Sequence, residues 1–154
     1  MVTFHSGNIL DSGADIICHQ VNCQGVMGSG IAKQVREKYP WVYGQYKWFC
    51  EAAKDCTYLL LGHTQEIFIN ETKVIVNLFA QDHYGYDGNC YTDYEKLEMC
   101  LRRIKENWGH KTIAIPYLMG CHRGGGDWNI VYKMIEEVFA DSDCEILICE
   151  YNGG

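Results

Sequence analysis

An apolar run that opens straight into a cluster of glycines constrains this chain more than any other feature. Residues 15–21, Asp-Ile-Ile-Cys-His-Gln-Val, have the aliphatic character of a strand buried on both faces. Asn22-Cys-Gln-Gly-Val-Met-Gly-Ser-Gly-Ile-Ala32 follows, and residues 28–38 read as a helix that stops before Pro40. In open α/β sheets the crevice beyond the carboxyl ends of the strands is where ligands sit. Glycines at 25, 28 and 30 permit positive φ and close backbone approach. The helix that starts there presents free N–H groups and a positive dipole end, an arrangement that suits a diphosphate. The segment lacks the closing Gly-Lys-Ser/Thr of a P-loop, and it is not the dinucleotide pattern GxGxxG. The competing reading is a tight turn that only joins strand to helix.

The remaining pattern alternates strands and helices. Strands are expected over residues 2–5, 59–69, 73–79, 112–116 and 145–151, and further helices over 41–53, 93–108 and 128–140. Strands 59–69 and 73–79 join through the polar turn at Asn70 and make a hairpin, so the sheet should be mixed rather than purely parallel. The expectation is one α/β domain over residues 1–154, a sheet sandwiched between helical layers.

Composition narrows the partners. A net charge of −7 argues against broad electrostatic binding to nucleic acid or to acidic membranes. An anionic small ligand held by backbone N–H groups remains compatible with that charge. The nine cysteines include no CxxC pair, and most lie in apolar surroundings, which points to reduced, buried thiols and to no metal site. The start of the chain has no basic segment followed by an apolar one, and no apolar run approaches the ~20 residues a membrane span requires. A cytoplasmic monomer without a cofactor is the expectation.

A second glycine-rich segment, Met119-Gly-Cys-His-Arg-Gly-Gly-Gly-Asp127, lies between the strand at 112–116 and the helix at 128–140. Three consecutive glycines are costly to order, so the loop is either mobile or wraps something. Arg123 could pair with a phosphate or stay solvated, and Asp127 is placed to cap the following helix.

These two loops resemble those of the macrodomain family. Asn22 with Gly28-Ser-Gly-Ile-Ala32 looks like the family loop in which the Asn contacts the distal ribose. Ser6-Gly-Asn-Ile9 looks like the opening motif whose acidic residue reads the adenine amino group, with Asn8 standing in the place of Asp. Ile115-Pro-Tyr-Leu-Met-Gly-Cys121 and the glycines after it look like the phosphate-cradling loop. The likeness runs from Val2 to about Tyr151. It implies a three-layer α/β/α macrodomain fold with a central mixed β-sheet, and ADP-ribose or a derivative as ligand. The ligand-binding residues it implies are Gly7, Asn8, Ile9, Asn22, Gly28, Ser29, Gly30, Ile31, Met119, Gly120, Cys121, His122, Arg123 and Gly124.

Within the family, Ile17-Cys-His-Gln-Val-Asn-Cys-Gln-Gly25 and Lys38-Tyr-Pro40 look most like the yeast type of ADP-ribose 1″-phosphate phosphatase. Those enzymes carry a functional His where His19 stands. A branch that removes ADP-ribose from glutamate or DNA uses a Lys where this chain has Gln81, and an Asp in the second loop where it has Arg123 and Gly124. The resemblance therefore implies a phosphatase with a functional His19 and with Asn22 on the ribose. In such an enzyme His19 could serve as base or nucleophile, since imidazole titrates near neutral pH, and Asp82 or His83, from the loop after Phe79, could orient it or donate the proton. From the residues alone, His19 could equally be a strand-end histidine bonded to backbone, and Asp82 and His83 an exposed turn. Tyr84, Tyr86 and Tyr91 could stack on the ligand or lie idle on the surface. Cys23 and Cys121 have nothing beside them to activate a thiol. Two other functions stay open: a non-catalytic ADP-ribose-binding module, and a hydrolase of ADP-ribosyl esters or O-acetyl-ADP-ribose.

Overall fold

The computed structural model describes residues 1–28, 30–85 and 87–151. In chain order the elements are β1 (Val2–Ser6), β2 (Ile16–Asn22), α1 (Gly30–Lys38), α2 (Pro40–Ala52), β3 (Thr64–Phe68) and β4 (Val74–Gln81). They continue as α3 (Tyr94–Trp108), β5 (Thr112–Pro116), α4 (Trp128–Phe139) and β6 (Glu145–Glu150). Short 3-10 turns occupy Ile9–Asp11 and Thr57–Leu60.

The strands form a sheet in the order β1-β6-β5-β2-β4-β3. All neighbours are parallel except β3 and β4, which pair antiparallel as the hairpin predicts. Alternate residues of each strand feed opposite layers, as the two-residue period of a strand requires. Cys18, Val76, Leu78 and Ile115 pack against Leu97, Leu101 and Ile104 of α3 and Val131 and Ile135 of α4. Ile17, Ile75 and Ala114 pack on the other side with Val35 of α1 and Val42 of α2, and Val21 and Phe79 with Tyr46. The fold is therefore a three-layer α/β/α sandwich with a mixed central sheet.

Most boundaries follow the sequence pattern. Pro40 opens α2 because its fixed φ and missing N–H suit a first helical position. Asp93 and Asp127 cap α3 and α4, their carboxylates accepting from Lys96 N at 3.1 Å and Asn129 N at 2.9 Å. The expected strand 59–69 starts later. Its first residues belong to the 3-10 turn Thr57–Leu60, and Gly62, at φ +88°, ends the irregular stretch before β3. An apolar run such as Tyr58-Leu-Leu-Leu61 has no periodicity that separates turn from strand. No helix among the described residues is long and apolar enough to cross a membrane.

Two features of β2 position the site. Its register against β4 shifts between Val21 and Asn22. Its ladder with β5 consists of Ile16–Ile113 and Ile17–Ala114, after which the two strands part. Here the chain order reverses: β2 leads through α1 and α2 to one side of the sheet, and β4 leads through α3 to the other. This is the switch point at which α/β sheets form their crevice.

Candidate ligand cleft

A cleft of about 320 Å³ opens where β2 and β5 separate. One wall is the first glycine-rich loop with the start of α1: Asn22, Gly28, Gly30 and Ile31 line it. The opposite wall is the second loop, contributing Met119, Gly120, His122, Arg123 and Gly124, while Ile9 and His19 also face the space. The two loops singled out in the sequence thus bound one cavity, and the first turn of α1 lies on it.

Asn22 organises its own loop. Its Oδ1 accepts from Gln24 N at 2.9 Å and from the Tyr46 hydroxyl at 2.9 Å, and its Nδ2 donates to Val26 O at 2.9 Å. The register shift at Val21/Asn22 turns this side chain toward α2, where Tyr46 meets it. Among the described residues its Nδ2 donates to Val26 alone, and a primary amide carries a second hydrogen that a ligand can take.

His19 is buried, and its Nε2 lies 2.5 Å from Asn77 Oδ1 across the β2–β4 pair. Burial pulls its pKa down to about 4 against the partial support of the Asn77 hydrogen bond, so the ring is neutral near pH 7. Nδ1 is buried and has no partner. The histidine bonds a side chain rather than backbone, and its ring borders the cleft while Nδ1 itself stays covered by its surroundings.

A polar network holds the second loop. Gln20 Nε2 donates to Gln81 Oε1 at 2.7 Å and to Thr92 Oγ1 at 2.9 Å, and Thr92 Oγ1 donates to Gly120 O at 2.7 Å. Gly124 O accepts from the main-chain N of Tyr91 at 2.6 Å and of Thr92 at 2.8 Å. A Cβ on Gly124 would stand 2.4 Å from Thr92 Oγ1, and one on Gly125 2.1 Å from Asn89 O. The triple glycine is therefore needed for packing of the loop onto the chain beneath it. The arginine at its tip lies over Tyr84, 5.7 Å from the ring centre.

Four residues expected at the site lie apart from the cleft lining. Asp82 does not line the cleft; its carboxylate accepts from Gln24 Nε2 at 2.8 Å and helps hold the first loop. Cys121 also lies off the cleft, its Sγ directed to Met119 O, and burial pushes its thiol up to about 11. Gly7, at φ +143°, makes the turn after β1 and donates to Glu150 O. Asn8 Oδ1 accepts from Leu10 N, so it caps the Ile9–Asp11 turn, and it borders a neighbouring hollow with Gln34 and Lys38. Ser29 and Tyr86 lie outside the described residues, and Tyr91 is bound to Asp87 rather than facing the cleft. The sequence reading missed Gln20, Gln34, Leu118 and Tyr151, all of which line the cavity. Leu118 carries a positive φ of 63°, rare for a branched residue and invisible in the sequence.

No family model matches the chain. An ADP-ribose 1″-phosphate phosphatase of Scheffersomyces stipitis is 34% identical over 133 residues, covering 75% of both chains. With the fold above, that similarity decides the family. The chain belongs to the macrodomains. This macrodomain is also 28% identical, over its whole length, to a DNA ADP-ribosyl glycohydrolase of Mycobacterium tuberculosis, of which it spans 43%. Among solved structures, the macrodomain of Thermus aquaticus DarG superposes with a TM-score of 0.75 at 26% identity, covering 99% of each chain.

Proposed function

We propose that this macrodomain binds ADP-ribose and hydrolyses ADP-ribose 1″-phosphate to ADP-ribose and phosphate. The observation that carries the reading is His19: a neutral imidazole with one nitrogen anchored on Asn77 and the other bare, on a ring that lines a cleft between two glycine-rich loops. Once a small side-chain shift uncovers it, the unpartnered Nδ1 takes the proton of an attacking water as the water's oxygen bonds to phosphorus. The bond from phosphorus to the ribose oxygen then breaks, and the histidine returns the proton to that oxygen. Main-chain N–H groups of α1 and the Arg123 guanidinium supply positive character for the phosphate oxygens. In this reading Asn22 orients the ribose, and Ile9, Gly28, Gly30, Ile31, Met119, Gly120, His122 and Gly124 shape the walls.

The neutral Gln81, bonded to Gln20 and to His83 O, stands where a lysine-dependent glycohydrolase would need its cation. That supports a phosphatase over removal of ADP-ribose from DNA or glutamate. A second reading, a module that binds ADP-ribose without turning it over, is favoured by one observation. Among the described residues no carboxylate lines the cleft, since Asp82 is committed to Gln24.

The test is incubation of the protein with ADP-ribose 1″-phosphate, with phosphate release measured beside calorimetric titration with ADP-ribose. Release that disappears in His19→Ala supports the phosphatase. Binding without release leaves the binding module, and failure to bind ADP-ribose overturns both.

A further inference from the structure

Side-chain hydrogen bonds run from the backbone of α2 through the sheet to His19, and their direction is fixed at one end. Gln65, on the edge strand β3, donates Nε2 to the main-chain oxygen of Gln45 at 3.2 Å. A carbonyl only accepts, so Gln65 must turn its NH₂ that way and its Oε1 inward. Oε1 accepts from Asn77 Nδ2 at 3.0 Å. Asn77, fully buried in β4, is thereby left with Oδ1 facing His19 Nε2 at 2.5 Å. An amide oxygen cannot donate, so the proton of the neutral imidazole has to sit on Nε2. Each link dictates the next, and the last atom, Nδ1, keeps its lone pair.

Resting on the hydrolase reading above, we propose that Gln65 and Asn77 are positioning residues that lock His19 in its Nε2–H tautomer, leaving Nδ1, buried at the border of the cleft, an obligate hydrogen-bond acceptor for whatever group reaches it. Two consequences concern ligand chemistry. The group met by Nδ1 must itself carry a hydrogen: a water, a ribose hydroxyl or a protonated phosphate oxygen. A fully ionised phosphate oxygen against the same nitrogen would set two lone pairs face to face. The phosphate is thus bound by the loops, and His19 addresses the protonated partner in the reaction. The opposite tautomer would place a donor in the cleft and could bind phosphate, but it could not take up a proton.

Gln65 lies on an edge strand and is only half-buried, so it can be exchanged without opening the core. Gln65→Glu keeps an acceptor toward Asn77. Gln65→Lys offers only donors, so Asn77 must invert and donate to Nε2, which moves the proton of His19 to Nδ1. Nitrogen-15 NMR of the imidazole reads the tautomer directly, and it does so whether or not the protein turns over any substrate. The wild type and Gln65→Glu should show the Nε2–H form, and Gln65→Lys the Nδ1–H form. Phosphate release should fall about tenfold or more in Gln65→Lys, a loss of the size expected when a general base is disabled. ADP-ribose affinity should change little. Should Gln65→Lys not fold, Gln65→Leu removes the directing oxygen and should give both tautomers. An Nδ1–H ring in the wild type, or a wild-type tautomer in both Gln65→Lys and Gln65→Leu, overturns the proposal. Absence of phosphate release from every form, with the tautomers as expected, overturns only the catalytic reading on which it rests.

Discussion

The Tyr46 hydroxyl lies 2.7 Å from the main-chain oxygen of Asn22 and 2.9 Å from its side-chain oxygen, so one phenol on α2 fastens the mouth of the first loop. Burial pushes the phenol pKa up, and the hydroxyl therefore remains a donor under all ordinary conditions. Tyr46→Phe leaves the ring packed on Phe79 but withdraws the hydroxyl that ties α2 to Asn22 through its side-chain oxygen. Losing a buried donor of this kind costs about 1–3 kcal/mol. Chemical denaturation should show that loss, and calorimetry should show weaker ADP-ribose binding, because Asn22 is no longer held against the cleft.

Gly124 supplies a steric test of the second loop. An alanine methyl there would stand 2.5 Å from Gly120 O as well as on Thr92, so the loop must lift away from the strand end. Gly124→Ala should lower stability by roughly 1–3 kcal/mol, the usual cost of overpacking. It should weaken ADP-ribose binding more than it perturbs the helices, seen as an unchanged far-ultraviolet circular dichroism spectrum. Wild-type affinity in this variant would show that the loop does not shape the site.

His19 makes stability depend on acid. Its pKa falls from 6.5 in the unfolded chain to about 4 in the fold, so the unfolded state binds the extra proton between those values. Stability from this group is complete above pH 6.5 and declines as pH drops toward 4. The displacement corresponds to about 3 kcal/mol. Urea melts of the wild type and His19→Gln at pH 7 and pH 4.5 should diverge, the variant losing less on acidification. Equal losses would mean that His19 titrates normally. The same displacement predicts no inflection near pH 6.5 in phosphate release.

Asp82 separates structure from chemistry. Because its carboxylate serves Gln24 and not the cleft, Asp82→Asn keeps an oxygen for that bond and should retain turnover within about threefold, far less than loss of an acid-base group would cause. A hundredfold fall would return Asp82 to the proton-transfer role considered for it in the sequence.

Local signals carried the architecture and both walls of the cleft. The strand at 16–22, the glycines after it and the caps Asp93 and Asp127 each rest on nearest-neighbour chemistry, which a linear reading can follow. What escaped depends on partners distant along the chain. His19 meets Asn77, and Gln20 meets Gln81 and Thr92, through the sheet order, which no local pattern encodes. Asp82 was placed at the site by its position after Phe79, and its contacts to Gln24 and His83 are set by how the loop folds back on the first glycine-rich segment. The triple glycine was read as mobile or ligand-wrapping, because the atoms that exclude a Cβ there come from Asn89, Thr92 and Gly120.

The parting of β2 and β5 creates an edge in the middle of a sheet. Edge strands are usually a hazard, since their peptide groups invite another chain to pair. Here the exposed stretch is only a few residues long, Pro116 contributes no donor, and helical layers stand on both sides. The peptide groups left unpaired there border the cleft of about 320 Å³ rather than open solvent. The sheet is thereby part of the cleft's wall, alongside the two loops.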